Sequence, residues 1–343
     1  LRLTMRLVHL TEEEAARMAA DEAKGLFDPE KLRVLVPTAG GPNALVATGI
    51  AMRVAKRSAH PLTVLYVERV SGLLGQFFGM FKESVEGKNL AQQLEKMRAL
   101  SSEAGVPAPE VRRQSSRDVV TTIGNESKKG FDLLMLGASE SRRGLRGEKL
   151  EKIVAAAPCH IGIVKNRGKG NGIYRRILVP VDGTFFSRVA VEFAVRYAEG
   201  VGEGAVVTIA LVTDPGRMPG SIPPPPPKPI VPERTSTLHG RGRANSLMLM
   251  VDSLAKDGGL EKLSPVFKAT KAKTRVIVRQ PSETGPDRLP ILAEANSGQY
   301  DMVVLGAEHR AIHYRLFFGY DNEKLVEDSQ ITVVLIVPKV KGA

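Results

Sequence analysis

Short apolar runs, rich in β-branched residues and apolar on successive positions, recur along this chain. Longer stretches with apolar residues three and four apart fall between them. The runs read as strands covered on both faces and the stretches as helices laid across them. In the first half, strands are expected near Leu32–Thr38, Leu62–Val67, Pro109–Arg113, Leu133–Gly137 and His160–Lys165. Helices are expected over Asn43–Arg57, Lys88–Ala104, Ser116–Lys129 and Glu148–Ala157. In the second half the strands fall near Arg176–Val181, Val206–Val212, Thr274–Arg279, Met302–Gly306 and Ile331–Val337. Its helices cover about Ser187–Glu199, Ala244–Leu260, Asp287–Ser297 and Asn322–Asp328. Alternating strands and helices with right-handed crossovers predict an α/β fold whose doubly wound parallel sheet takes ligands at the carboxyl ends of its strands.

The two halves repeat one another. Arg33-Val-Leu-Val-Pro-Thr-Ala-Gly40 aligns without gaps on Arg176-Ile-Leu-Val-Pro-Val-Asp-Gly183, and Asp132-Leu-Leu-Met-Leu-Gly-Ala138 on Asp301-Met-Val-Val-Leu-Gly-Ala307. His160-Ile-Gly-Ile-Val-Lys165 and Ile331-Thr-Val-Val-Leu-Ile-Val-Pro338 close the copies. Three matches in one order indicate duplication. The expected organisation is two tandem five-stranded domains, 28–168 and 169–343, after a lead-in of residues 1–27. Within the lead-in, Thr11-Glu-Glu-Glu14 has a capping-box pattern and predicts a connector helix over Glu12–Lys24. Residues 214–243, with five consecutive prolines at Pro223–Pro227, read as an exposed spacer inside the second copy.

Composition narrows the function classes. Hydrophobic residues at 43% and charged residues at 25% describe a globular chain. The net charge of +12 suits a solvated basic surface or one facing an anionic membrane. Nucleic acid is disfavoured, because Trp is absent and aromatics, at 5%, are not interleaved with basic runs. A single cysteine, Cys159, forms no internal disulfide. The longest apolar runs, such as Val333 to Val337, fall far short of the roughly 20 residues of a spanning helix. No signal-peptide pattern is present. A cytoplasmic domain is expected, and the opening on Leu1 reads as the start of a fragment cut from a longer polypeptide.

Candidate chemistry sits at the strand ends. The first strand of each copy ends in a small-residue turn, Pro37-Thr-Ala-Gly-Gly41 and Pro180-Val-Asp-Gly-Thr184, and the fourth ends at Gly137 or Gly306. These ends flank the topological switch point, where glycines let a backbone approach phosphate and a helix N-terminus favours an anion. Taken alone, they read as turn glycines with no ligand.

The layout Val-Pro-Val-Asp-Gly-Thr184, a strand ending in Leu-Gly306, then Gly319, resembles the universal stress protein family. That family has the adenine nucleotide alpha hydrolase-like fold, and its paired domains commonly pack as a pseudo-dimer through their last strands. The resemblance covers roughly residues 30–166 and 174–340. Its ATP-binding members carry Gly, two residues, Gly, nine residues, Gly, then Ser or Thr. The positions it implies in the second copy are Pro180, Asp182, Gly183, Val212, Gly306, His309, Gly319 and Tyr320, for AMP, ADP or ATP and without a metal. Nine residues separate His309 from Gly319, as in the motif, but His309 replaces the middle glycine and Tyr320 the Ser or Thr. In the first copy Ala39 replaces the aspartate, Glu140 the middle glycine, and the interval to Gly147 is short, so that site reads as degenerate.

A narrower resemblance concerns Arg6-Leu-Val-His-Leu-Thr-Glu-Glu-Glu-Ala-Ala16, Gly41-Pro-Asn43 and Leu316-Phe-Phe-Gly319. These look like the tail joining the membrane domain of bacterial cation:proton antiporters to paired stress-protein domains. It implies a regulatory region at the cytoplasmic face of the inner membrane. The transport domain of the same polypeptide would be its partner, and a homodimer its assembly. The alternatives are a free-standing soluble tandem stress protein that binds ATP or AMP, and a nucleotide-hydrolysing enzyme on the same fold.

No catalytic constellation is evident, and no enzyme activity is expected. His309 and His313, at i and i+4, would share a helix face as metal ligands, but lack a third ligand. Gly137-Ala-Ser-Glu140 lacks the second glycine of a nucleophile elbow. Asp132 and Asp301 read as cap or turn residues, Cys159 as a small core residue, and Leu247-Met-Leu-Met-Val251 as helix core. The apolar loop Leu73-Leu-Gly-Gln-Phe-Phe-Gly-Met-Phe81 is either a lid over the core or a docking patch.

Overall fold

The computed structural model describes residues 27–38, 41–69, 91–138, 148–167, 173–181, 185–212, 272–279, 290–310, 315–317 and 320–339. In the first half, β1 (Val34–Thr38) lies between β2 (Thr63–Arg69) and β4 (Leu133–Gly137). Strand β3 (Glu110–Ser116) lies outside β2, and β5 (His160–Lys165) outside β4. All four pairings are parallel. The second half repeats this order. Strand β6 (Arg176–Val181) lies between β7 (Val206–Val212) and β9 (Met302–Gly306), with β8 (Lys273–Arg279) outside β7. A short antiparallel pair, β10 (Glu308–Arg310) and β11 (Arg315–Phe317), precedes the last strand, β12 (Thr332–Val337), which lies outside β9.

The copies are joined edge to edge. Strand β12 pairs antiparallel with β5, centred on Leu335 opposite Ile163, so two five-stranded parallel layers become one ten-stranded sheet. Both layers keep their own switch point, between β1 and β4 and between β6 and β9. This is a pseudo-dimer built through the last strands, as the family resemblance implies.

Helices cover both faces. On one lie α1 (Pro42–Val54), α2 (91–104) and α5 (Phe185–Val201); on the other lie α3 (Val119–Ser127), α4 (Glu148–Ala156), α6 (Pro290–Ala295) and α7 (Tyr320–Asp328). The core on each face runs unbroken from one copy into the other. One contains Val36, Ile50, Phe193 and Ile336; the other contains Leu134, Ile163, Leu305 and Leu335. Inner strands such as β1 and β12 are buried at every position, which explains their continuous apolar sequence.

The outer strand β3 differs from the expectation of two apolar faces. It carries Arg112, Arg113 and Gln114 and is exposed or half-buried throughout, which blunts the sheet edge against further pairing. Helix α3 starts at Val119 rather than Ser116, because the Asp118 carboxylate accepts hydrogen bonds from the Val120 and Thr121 amides at 3.0 and 3.2 Å and caps the helix there. The segment at His309 is a strand opposite Leu316, so the helix-face metal geometry proposed for His309 and His313 does not form; His313 lies outside the described residues. Also outside them are the connector helix expected over Glu12–Lys24, residues 73–81 and 214–243, and the helix expected over Ala244–Leu260. No helix among the described residues is long and apolar enough to cross a membrane.

Candidate functional site

Pairing between β1 and β4 stops after Leu35–Leu134, and pairing between β6 and β9 after Leu178–Val303. Pro37 and Pro180 follow in the parted strands, where they have no N–H with which to extend the ladder. The strands therefore separate toward their carboxyl ends at each switch point, the place where doubly wound sheets take ligands in a crevice.

A glycine sets the floor of each crevice. A β-carbon on Gly306 would overlap the carbonyl of Phe186 and come within 3.0 Å of its Cα. A β-carbon on Gly137 would lie 2.5 Å from the Ala44 amide nitrogen and the Asn43 carbonyl carbon. The first turn of α5, and that of α1, sit directly on these strand ends, and only glycine permits so close an approach.

In the first crevice a side chain fills the space. Asn43, 7% exposed, donates its amide to the Ala138 carbonyl and accepts from the Asn166 amide at 3.3 Å, bridging the ends of β4 and β5. The Asn166 side chain in turn accepts from the Thr332 hydroxyl at 3.1 Å, and that hydroxyl also bonds the Tyr174 hydroxyl at 3.0 Å. The Tyr174 amide donates to the Tyr197 hydroxyl on α5 at 2.7 Å. A hydrogen-bonded path thus runs from the first crevice across the seam to the second copy. The sequence offered no signal for it beyond an asparagine after Pro42 at a helix start, because its partners lie far along the chain. The gapless repeat alignment places Phe186 at the matching position of the second copy, with no amide to make that bridge.

Of the expected nucleotide positions, Pro180 is half-buried in β6 and Gly306 is half-buried at the end of β9. Val212 ends β7, paired with Arg279. His309 lies in β10, three residues past Gly306. Phe317 of β11 stands opposite Glu308 of β10, and α7 begins at Tyr320. Asp182, Gly183 and Gly319 lie outside the described residues, as do Ala39, Glu140 and Gly147 of the first copy.

The repeated aspartates stand at the opposite end of the sheet. Asp132 accepts from the Arg33 amide at 2.8 Å, and Asp301 from the Arg175 and Arg176 amides at 3.2 and 3.1 Å and from the Arg176 guanidinium. Burial raises the Asp301 pKa, but the Arg176 side chain and the two amides outweigh it and hold the carboxyl below the ordinary range. Both aspartates tie strand starts together and take no part in the crevices. Cys159 is buried, and burial pushes its thiol up to about 11, which makes it a core residue. Among the described residues no three His, Cys, Asp or Glu side chains converge as a metal site.

A second feature ties α5 to the lead-in. Glu192 and Arg196, one turn apart and buried, pair at 3.2 Å. Glu192 accepts from the Phe27 amide at 3.1 Å, and Arg196 donates to the Phe27 carbonyl. The backbone entering the first copy is thus gripped by a helix of the second.

This architecture defines a tandem doubly wound α/β protein with one switch point in each copy. The universal stress protein family profile matches residues 32–165 and again 173–337, so the chain belongs to that family. A universal stress protein from Archaeoglobus fulgidus DSM 4304 is 15% identical over 90% of this chain and 98% of its own, with a TM-score of 0.55. Universal stress protein UspA from Lactobacillus plantarum is 23% identical over 39% of this chain and 97% of its own, with a TM-score of 0.32. The cytoplasmic domain of a prokaryotic cation chloride cotransporter is 13% identical over 90% of this chain and 96% of its own, with a TM-score of 0.45. Among curated proteins none matches the chain.

Proposed function

We propose that this chain is a non-catalytic regulatory module, the cytoplasmic part of a cation:proton antiporter, in which the second crevice senses an adenine nucleotide. The observation that carries the reading is the span of α5. Its first turn rests on Gly306 at the crevice, and its Glu192–Arg196 pair holds the backbone of Phe27. A ligand that moves the start of α5 therefore acts, through one helix, on the segment leading into the module. Such a ligand shifts the transporter only by its difference in affinity between the two states. Support for the antiporter comes from the resemblance of Arg6–Ala16 and from the basic surface, which suits an anionic leaflet. The first crevice, bridged by Asn43, serves as scaffold. A homodimer would use other surfaces, since β5 and β12 are already spent on each other.

Calorimetric titration with AMP, ADP and ATP tests the sensor. Saturable binding to one site, lost in Gly306→Val, is expected; no heat with any of the three reduces the second crevice to scaffold. Single-turnover ATP hydrolysis above the buffer rate, abolished by Asp182→Ala, would replace this reading with that of a hydrolase.

A further inference from the structure

The C-terminal ends of α1 and α5 cross on the face of the sheet shared by both copies, and a small recess opens between them. Its walls are Pro29, Arg53, Val54, Lys56, Arg57, Arg196, Glu199 and Gly200, so four cations from two copies face one carboxylate. Arg196 is neutralised by Glu192 at 3.2 Å, and Arg57 reaches Glu199 only at 4.0 Å. Lys56 donates to the Gly200 carbonyl at 3.2 Å.

Arg53 is the anomaly. It is 3% exposed, and its one hydrogen bond, at 2.8 Å, goes to the Gly49 carbonyl, which the helix already uses. No carboxylate among the described residues pairs with it. Helix C-termini attract cations, which accounts for an exposed Lys56 but not for a desolvated guanidinium without a counter-charge. A buried charge of this kind calls for an anion, and the planar donor fork of arginine matches oxyanions. The recess is far smaller than sites that enclose drug-sized ligands, which excludes a whole nucleotide.

We propose that this inter-copy recess binds an oxyanion of the phosphate class, either free phosphate or the phosphoryl headgroup of an anionic lipid, with Arg53 at its base and Lys56 and Arg57 at its rim. The site is distinct from the switch-point crevices and does not depend on nucleotide binding there. Bound, the anion would pin α1 to α5 across the seam, beside the Phe27 grip.

Calorimetry of the chain with inorganic phosphate at constant ionic strength tests this. One saturable site is expected. Arg53→Leu should weaken binding about tenfold or more, the equivalent of one charge-assisted hydrogen bond, while its melting temperature without phosphate stays level or rises. Should Arg53→Leu fail to fold, Arg57→Glu at the exposed rim must still weaken phosphate binding. Flotation with phosphatidylcholine vesicles, with and without phosphatidic acid, separates the sources. Capture that needs phosphatidic acid and is competed by phosphate assigns the site to a lipid; phosphate binding without capture assigns it to the free ion. No saturable phosphate heat together with no phosphatidic-acid-dependent capture overturns the proposal. So does binding that is unchanged in both variants.

Discussion

Gly200 stands near the end of α5, where alanine would ordinarily favour a helix by about 0.5–1 kcal/mol. Here the sign should reverse. A β-carbon at Gly200 would lie 2.5 Å from the carbonyl carbon and 2.9 Å from the Cα of Arg53, and closer still to the Arg53 oxygen. The obstacle is backbone, so no rotamer change relieves it, and α1 and α5 must separate. Overpacking of this kind costs about 1–3 kcal/mol, and more where the backbone must shift. The cost exceeds the propensity gain, so Gly200→Ala should destabilise the chain by about 1–2 kcal/mol. Gly124 in α3 is the matched control. It too is a buried helical glycine, but a β-carbon there would sit 3.5 Å from the Ala156 Cβ, an ordinary contact. Gly124→Ala should stabilise by about 1 kcal/mol, from propensity and one buried methyl. Urea denaturation of both variants against the parent, with unchanged m-values, gives the comparison. A Gly200→Ala protein as stable as the parent would refute the account of close packing at the seam.

Glu126 is buried and accepts from Arg112, Gln114 and Lys129 at 2.7, 2.8 and 2.7 Å. Burial raises its pKa, but the Lys129, Arg112 and Gln114 bonds outweigh this and leave it lowered from 4.5. A carboxyl with a depressed folded-state pKa contributes stability that is present above its unfolded value and lost as pH falls through its folded value. Glu126→Gln should therefore flatten the loss of stability below about pH 4.5; an unaltered acid limb counts against the pairing. Cys159, with its thiol raised to about 11, should resist Ellman's reagent in the folded protein at neutral pH and react once denatured. Full labelling of the folded chain would contradict its burial. Glu192→Ala leaves Arg196 buried without its carboxylate and should cost about 3–5 kcal/mol in urea melts. A cost within experimental error would show that the Phe27 grip is dispensable.

The inner strands were legible in the sequence because burial on both faces demands uninterrupted apolar residues. Leu133–Gly137, His160–Lys165, Arg176–Val181, Val206–Val212 and Met302–Gly306 appear with the expected limits. Helix starts were less legible. Asp118 caps α3 with its side chain, an event that leaves the apolar periodicity unchanged. The β10–β11 pair was hidden by the helical spacing of His309 and His313. At the site, Pro180 and Gly306 could be placed because a strand-end glycine and a strand proline announce a parted ladder. Asn43 could not, since its bonds to Ala138 and Asn166 span 95 and 123 residues of chain. The Glu192–Arg196 spacing is visible on a helical wheel, but nothing local reveals that its third member is the backbone of Phe27, 165 residues earlier.

The antiparallel joint between β5 and β12 has a further consequence. In an assembly of identical chains both crevices would share one sequence, and any side chain that closed one would close its twin. Covalent duplication lifts that restriction. The Asn43 amide bridges the strand ends of one half only, so the two halves are free to differ in sequence and in what they hold. The Tyr174–Thr332–Asn166 bonds are the side-chain link that joins these unlike halves at the seam.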